Sequence, residues 1–156
     1  MKLRIRHVRL LVLFLSAQLL PVAAKSAEFQ HNPVKIECAS KNRAFLAATN
    51  YAIKSGGRLI LTTGTPSMEP LIHGKTYAVI VQQPYGAIAE SNILVYRGRL
   101  NASKPDLSTV LHRAVLHDRY GWIMSGDNNR WSESWDRVTS DNYIGTVVAL
   151  FAYPQT

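Results

Sequence analysis

One hydroxyl in this chain is braced the way a nucleophile needs to be. Ser67 stands in "TTGTPSMEPLIHG", Thr62 to Gly74, between Pro66 and Pro70 and directly before Met68. Pro66 holds its own φ near about −65° and offers no N–H. It also drives Thr65 toward extended geometry, as Pro70 does to Glu69. A stiff turn has little freedom left to lose when its oxygen attacks. Thr65, two residues before Ser67, carries a hydroxyl that can donate to a developing oxyanion. The plain alternative is a proline-rich surface turn with no chemistry.

A serine nucleophile needs a base, and His112 in "VLHRAV" is the candidate. An imidazole can take a hydroxyl proton near neutral pH. A lysine base needs desolvation to lose its charge. Lys75 follows Gly74 in a turn and Lys104 lies in a polar loop, so neither sits among apolar neighbours. The plain reading of His112 is a packed or surface histidine on a strand. A histidine base gains from a carboxylate that holds its tautomer. Asp127 in "GDNN" and Asp136 in "SWDRVT" are both candidates. Otherwise Asp127 belongs to an Asx turn and Asp136 is a solvated loop charge. His73, His112 and His117 lack the spacing of metal ligands, and no cofactor is implied. Cys38 is the single cysteine, so no intrachain disulfide forms. It reads as a small apolar residue, because no histidine lies nearby in sequence to activate it.

The elements that must position these groups read as mainly β. "KNRAFLAATNYAIK", Lys41 to Lys54, places Phe45, Leu46, Ala48, Tyr51 and Ala52 near helical spacing, and "SGG" stops it. After it come six strand-like runs: "RLILTTG", "TYAVIVQQ", "ILVYRG", "TVLHRAVLHD", "RYGWIMSG" and "YIGTVVALFAY". "NASKPDLS" and "DNNRWSESWDRVTSDN" read as polar loops between them. Short strands separated by turn residues predict a β domain with one helix in front.

Length and charge narrow the classes. The 156 residues suit one domain with a real core, and 47% hydrophobic and 18% charged residues are ordinary for a globular chain. The net charge of +8 suggests a polyanion partner until the charges are located. Lys2, Arg4, Arg6, Arg9 and Lys25 lie in the first 26 residues, which hold no acid, leaving +3 for residues 27–156. That mild excess suits loose attraction to a membrane surface and does not argue for nucleic acid. The same 26 residues combine the basic cluster, an apolar run from Leu10 to Leu20, and small residues after Pro21. This is the layout of a secretory signal peptide. Cleavage after Ala24, with Val22 at −3, or after Ser26, with Ala24 at −3, fits equally. The run is short for a membrane span, which takes about 20 residues. The expected organisation is therefore 1–26 signal peptide or anchor, 27–57 lead-in with a short helix, and 58–156 β domain. The expected location is periplasmic, or on the outer face of the inner membrane.

Four segments in order resemble the type I signal peptidases. "GTPSMEPLIHG" is similar to their serine box, "ILVYRG" to the strand after it, and "LHRAV" to the box carrying the general base. "WIMSGDNNRWSESWDRVTSDNYIGTVV" resembles their Gly-Asp-Asn box with its closing strand. The likeness runs from about Arg58 to Ala149. It implies a signal-peptidase-like β domain, shared in outline with LexA-type repressors. It also implies a serine endopeptidase that cuts leader sequences of exported preproteins after small residues. Ser67 becomes the acyl-forming nucleophile, Thr65 an oxyanion donor, and Met68 and Pro70 neighbours of the substrate. His112 followed by Arg113 resembles the Ser-His branch found in archaea and the endoplasmic reticulum, where most bacterial members carry lysine. In that branch a carboxylate in or after the Gly-Asp-Asn box orients the histidine. The reading here favours Asp136 in that role and Asp127 as a structural aspartate. Tyr77, Val79, Ile93 and Val95 are the expected cleft walls. Lys75, where the family usually has aspartate, departs from the pattern, as do Trp131 and Trp135 after "GDNN". Two rivals stand beside this reading. One is a non-catalytic exported β module. The other is a self-cleaving LexA-type regulator, which would use lysine and a helix-turn-helix domain that this sequence does not show.

Overall fold

The computed structural model describes residues 32–99, 103 and 106–155. The leader at 1–26 and Lys104 lie outside the described residues. Within them the chain is mainly β, with one eight-stranded, largely antiparallel sheet and one α-helix. The strands are β1 (Val34–Glu37), β2 (Arg58–Leu61), β3 (Thr76–Val81), β4 (Ile93–Arg99), β5 (Leu107–Asp118), β6 (Gly121–Ser125), β7 (Glu133–Val138) and β8 (Tyr143–Ala152). The order across the sheet is β2-β3-β8-β4-β5-β6-β7, and β1 joins β8 in parallel.

Helix α1 (Lys41–Ser55) begins at Ser40, whose side chain accepts the Arg43 N–H, and ends at Gly56 in the left-handed region (φ 65°). Its buried stripe is Ala44, Ala48 and Ala52, while Phe45 and Leu46 stay exposed. Of the residues at helical spacing, Ala48 and Ala52 lie in the core and Tyr51 packs against it, while the large Phe45 and Leu46 do not form it. Methyl groups at i, i+4 and i+8 instead let the helix lie close on Tyr77, Val79, Ala149 and Phe151. Cys38 packs at the margin of this cluster. The segment before Arg58 is thus built into the core of the β domain.

Two strands were not expected. β1 is four residues long and pairs with β8 more than a hundred positions away, from Val34↔Ala149 to Glu37↔Ala152. β7 runs through the polar stretch whose composition predicts a loop and is held by β6, pairing Trp122↔Val138 and Met124↔Glu133 with a register shift between them. β1 alternates apolar and polar residues but is only four residues long, and β7, ESWDRV, shows no regular alternation.

Two further clusters flank the site. Met68, Ile72, Ile80, Ile93, Val95 and Val147 form one, with Leu111 against it. Leu94, Tyr96, Val110, Ala114, Met124 and Val138 form the other. Alternation along β4 and β5 sends odd and even positions to different clusters. Leu94 faces His112 and Val95 faces Leu111 across the β4–β5 ladder.

Candidate active site

The Ser67 loop leaves β2 and returns into β3 through a pinned neck. The Thr62 N–H donates to the Thr76 carbonyl at 2.9 Å, and the Thr76 N–H donates to the Thr62 hydroxyl at 2.9 Å. Gly64 and Gly74, both with positive φ, pack against each other there, and a Cβ on Gly64 would meet the Gly74 carbonyl carbon at 3.2 Å. Gln155 clamps Lys75 by its main chain, accepting from its N–H at 3.2 Å and donating to its carbonyl at 2.9 Å. Lys75 is exposed at this neck, so nothing desolvates it as a base would require.

At the tip, Pro66–Met68 form one 3₁₀ turn, entered by an extended Thr65 (φ −69°, ψ 146°). This is the geometry the proline predicts for its predecessor. Met68 is buried in the core, and its carbonyl accepts the Ile72 N–H at 2.9 Å. The plugged methionine turns the neighbouring Ser67 side chain away from the core. Pro70 is exposed beyond a cis Glu69–Pro70 bond, and Glu69 pairs with His73 at 3.0 Å.

His112 Nε2 lies 3.1 Å from Ser67 Oγ. The imidazole is nearly buried, at 7% exposure. The two groups meet because β6 stops short. Its last paired residue, Ser125, sits opposite Arg113, one position before the outer edge of β5 would reach His112. The Ser67 turn fills the place the next strand residues would take. The "GDNN" turn seals this arrangement. The Asn128 N–H donates to the Ser67 carbonyl at 2.9 Å, and Asn128 Nδ2 donates to the Pro66 carbonyl at 3.1 Å. A Cβ on Gly126 would stand 2.5 Å from the Ser67 carbonyl oxygen, so only glycine permits this approach. Gly126 and Asn128 were not singled out as positioning residues from sequence, although "GDNN" held both.

The two aspartates stand elsewhere. Asp127 receives both arms of Arg113, at 2.7 Å each. Arg113 and His112 are consecutive on β5, so their side chains leave opposite faces of the strand. The pair therefore braces the turn from the side away from the imidazole. Asp136 accepts the Arg99 N–H at 2.6 Å and approaches Gly98. Gly98 pairs with Ser108, four residues along β5 from His112. Four strand residues are roughly 13 Å. The assignment of Asp136 as the carboxylate orienting His112 does not match this placement.

Ser67 and His112 line a cleft of about 740 Å³. Thr65 and Met68 line it too, with Ile60, Ile72, Val95 and Leu111 supplying apolar wall. Of the walls expected from sequence, Val95 is there. Tyr77 and Val79 instead face α1, and Ile93 lies in the cluster behind. Among the described residues, no three His, Cys, Asp or Glu side chains gather as metal ligands would, and no helix is long and apolar enough to cross a membrane. No protein-family model, curated protein or solved structure matches this chain.

Proposed function

We propose that this chain is a serine endopeptidase of the signal peptidase type, working on leader segments of exported preproteins at a membrane surface. The single observation that carries the reading is the 3.1 Å approach of His112 Nε2 to Ser67 Oγ at the wall of an open, largely apolar cleft. A nearly buried imidazole beside a hydroxyl on a pinned turn supports a nucleophile–base pair. Ser67 Oγ attacks the scissile carbonyl carbon as His112 takes its proton. Thr65 and the Ser67 N–H hold the oxyanion. The imidazolium then gives that proton to the leaving amine. Water, deprotonated by His112, clears the acyl-enzyme. The finer fold assignment, a signal-peptidase-like β domain, belongs to this same proposal.

Strand edges support an extended substrate. β2 stands at the end of the sheet order, and β5 pairs with β6 only from Arg113 onward. Ile60–Gly64 and Ser108–His112 therefore border the cleft with main chain that a peptide can pair with. The apolar wall between them suits small side chains before the cut.

The test is hydrolysis of a fluorogenic peptide carrying Ala-x-Ala by the detergent-solubilised 156-residue chain. Cleavage after the second alanine is expected. Ser67→Ala and His112→Ala are each expected to lose about 10³-fold or more in kcat, with circular dichroism unchanged. No cleavage by the parent, or equal cleavage by Ser67→Ala, sinks the reading and favours a non-catalytic module of the same fold.

A further inference from the structure

The "GDNN" turn carries two adjacent asparagines with different partners. Asn128 holds the Pro66 and Ser67 carbonyls. Asn129 closes the turn, its N–H donating to the Gly126 carbonyl at 3.0 Å, and it lines the same cleft as Ser67 and His112. Asn129 is exposed, and its carboxamide has no hydrogen-bond partner among the described residues. Gly126 fixes how near that carboxamide stands to the nucleophile. A Cβ on Gly126 would lie 2.5 Å from the Ser67 carbonyl oxygen and 2.8 Å from Asn129 Nδ2. The nitrogen and that oxygen are therefore separated by no more than the sum of those two distances.

The cleft differs on the two sides of the catalytic pair. Along β5, the open strand edge and its apolar wall run from Ser108 to Leu111, before His112. From Arg113 onward β6 covers that edge, and the chain leaving β6 after Ser125 is the "GDNN" turn. Asn129 thus stands at the His112 end, past the apolar wall.

We propose that the Asn129 carboxamide binds the main chain of the substrate just beyond the scissile bond, on its amine side. The inference rests on the serine peptidase reading above and adds to it a residue that selects for a continuing polypeptide. One planar carboxamide offers N–H donors and a carbonyl acceptor, the complement of a peptide unit. The segment before the cut lies along the apolar wall, so the segment after it leaves past His112 toward the turn. An extended chain advances about 3.3 Å per residue. An amide this close to Ser67 therefore meets the first or second peptide unit after the cut. Holding that unit keeps the leaving nitrogen beside His112 Nε2 while the C–N bond breaks and the imidazolium gives up its proton. The cleft then favours bonds inside a chain over acyl groups with nothing after the cut.

The experiment compares two substrates on the detergent-solubilised 156-residue chain. One is the Ala-x-Ala peptide continued past the cut, and the other is a thiobenzyl ester of Ala-x-Ala, which has no residues there. Ser67→Ala supplies the background. Asn129→Asp keeps the side chain's shape and removes its donors, and Asn129→Ala removes the whole group. In both, kcat/KM on the peptide is expected to fall about tenfold relative to kcat/KM on the ester. Asn128→Ala, which acts through the position of Ser67, is expected to lower both and keep the parent's ratio. A parental ratio in the Asn129 variants, with both rates lowered or both unchanged, overturns the inference and leaves the peptidase reading standing. A parent that cuts neither substrate, or the ester alone, overturns both.

Discussion

Ser67 is held by its carbonyl as much as by its prolines. Asn128 satisfies the Pro66 and Ser67 carbonyls together, and thereby sets where the hydroxyl points. Asn128→Ala removes the side-chain bond, worth about 1 kcal/mol of stability. Because small misplacements of a reacting atom are costly, up to about 10²-fold, its kcat on the Ala-x-Ala peptide should fall by more than its urea midpoint suggests. The aspartates separate at this scale too. Asp136→Asn is expected to leave kcat/KM close to the parent's, since its carboxylate serves Arg99 rather than His112. A loss approaching the ~10⁴-fold seen when a triad carboxylate is neutralised would return Asp136 to the imidazole. Asp127→Asn loosens the Arg113 brace and should lower kcat with little change in KM, measured on the same peptide.

The elements work through close approaches that size alone decides. The alanine stripe of α1 sits at 0% to 6% exposure against the sheet. Ala48→Leu forces a larger side chain into that contact and should cost about 1–3 kcal/mol, read as a lower urea midpoint. If stability stays at the parent's level, the helix is packed more loosely than its burial indicates. Gly126 tests the element nearest the chemistry. Gly126→Ala pushes a methyl against the Ser67 carbonyl, whereas Gly86→Ala meets open space within 4 Å. The first should reduce kcat with the fold retained by circular dichroism. The second should leave it unchanged. Equal behaviour of the two would show that the "GDNN" turn does not set the position of Ser67.

For the whole molecule, two kinds of group contribute a pH dependence to stability. Burial pushes the Tyr143 phenol above its ordinary 10.0, partly offset by its bond to Thr146, and Tyr85 is raised by burial as well. Below pH 10 both states keep these protons, so stability does not change with pH on their account. Above it the unfolded chain releases them first, the folded chain binds more protons, and stability falls as pH rises toward the folded values. Asp118 is the acid-side counterpart. Its bond from Arg137, with the Tyr120 N–H, lowers it below 3.8. Its contribution is present above the ordinary carboxylate range and is lost as pH falls through the lowered value. Urea midpoints across pH should therefore show a plateau that declines at both ends. Tyr143→Phe should shallow the alkaline decline. An alkaline limb of unchanged slope would remove Tyr143 from this account.

The sequence by itself determined the β character, six of the strands, the one helix and the stiff turn around Ser67. These are local properties, carried by β-branched runs, glycines and prolines whose φ restrictions act within a few residues. It also marked "GDNN" as a turn without showing what the turn grips. Only the tertiary structure decided which groups stand together. That β1 is a strand depends on β8, more than a hundred positions away, and that β7 is one depends on pairing with β6 across the polar turn. That Ser67 meets His112 depends on β6 ending opposite Arg113, a matter of register between strands. That Asp127 faces Arg113 and Asp136 faces Arg99 depends on strand alternation and on how β7 lies against β4. Distances between residues 45 positions apart, as Ser67 and His112 are, follow from packing and hydrogen-bond register, and local residue preference does not carry that information.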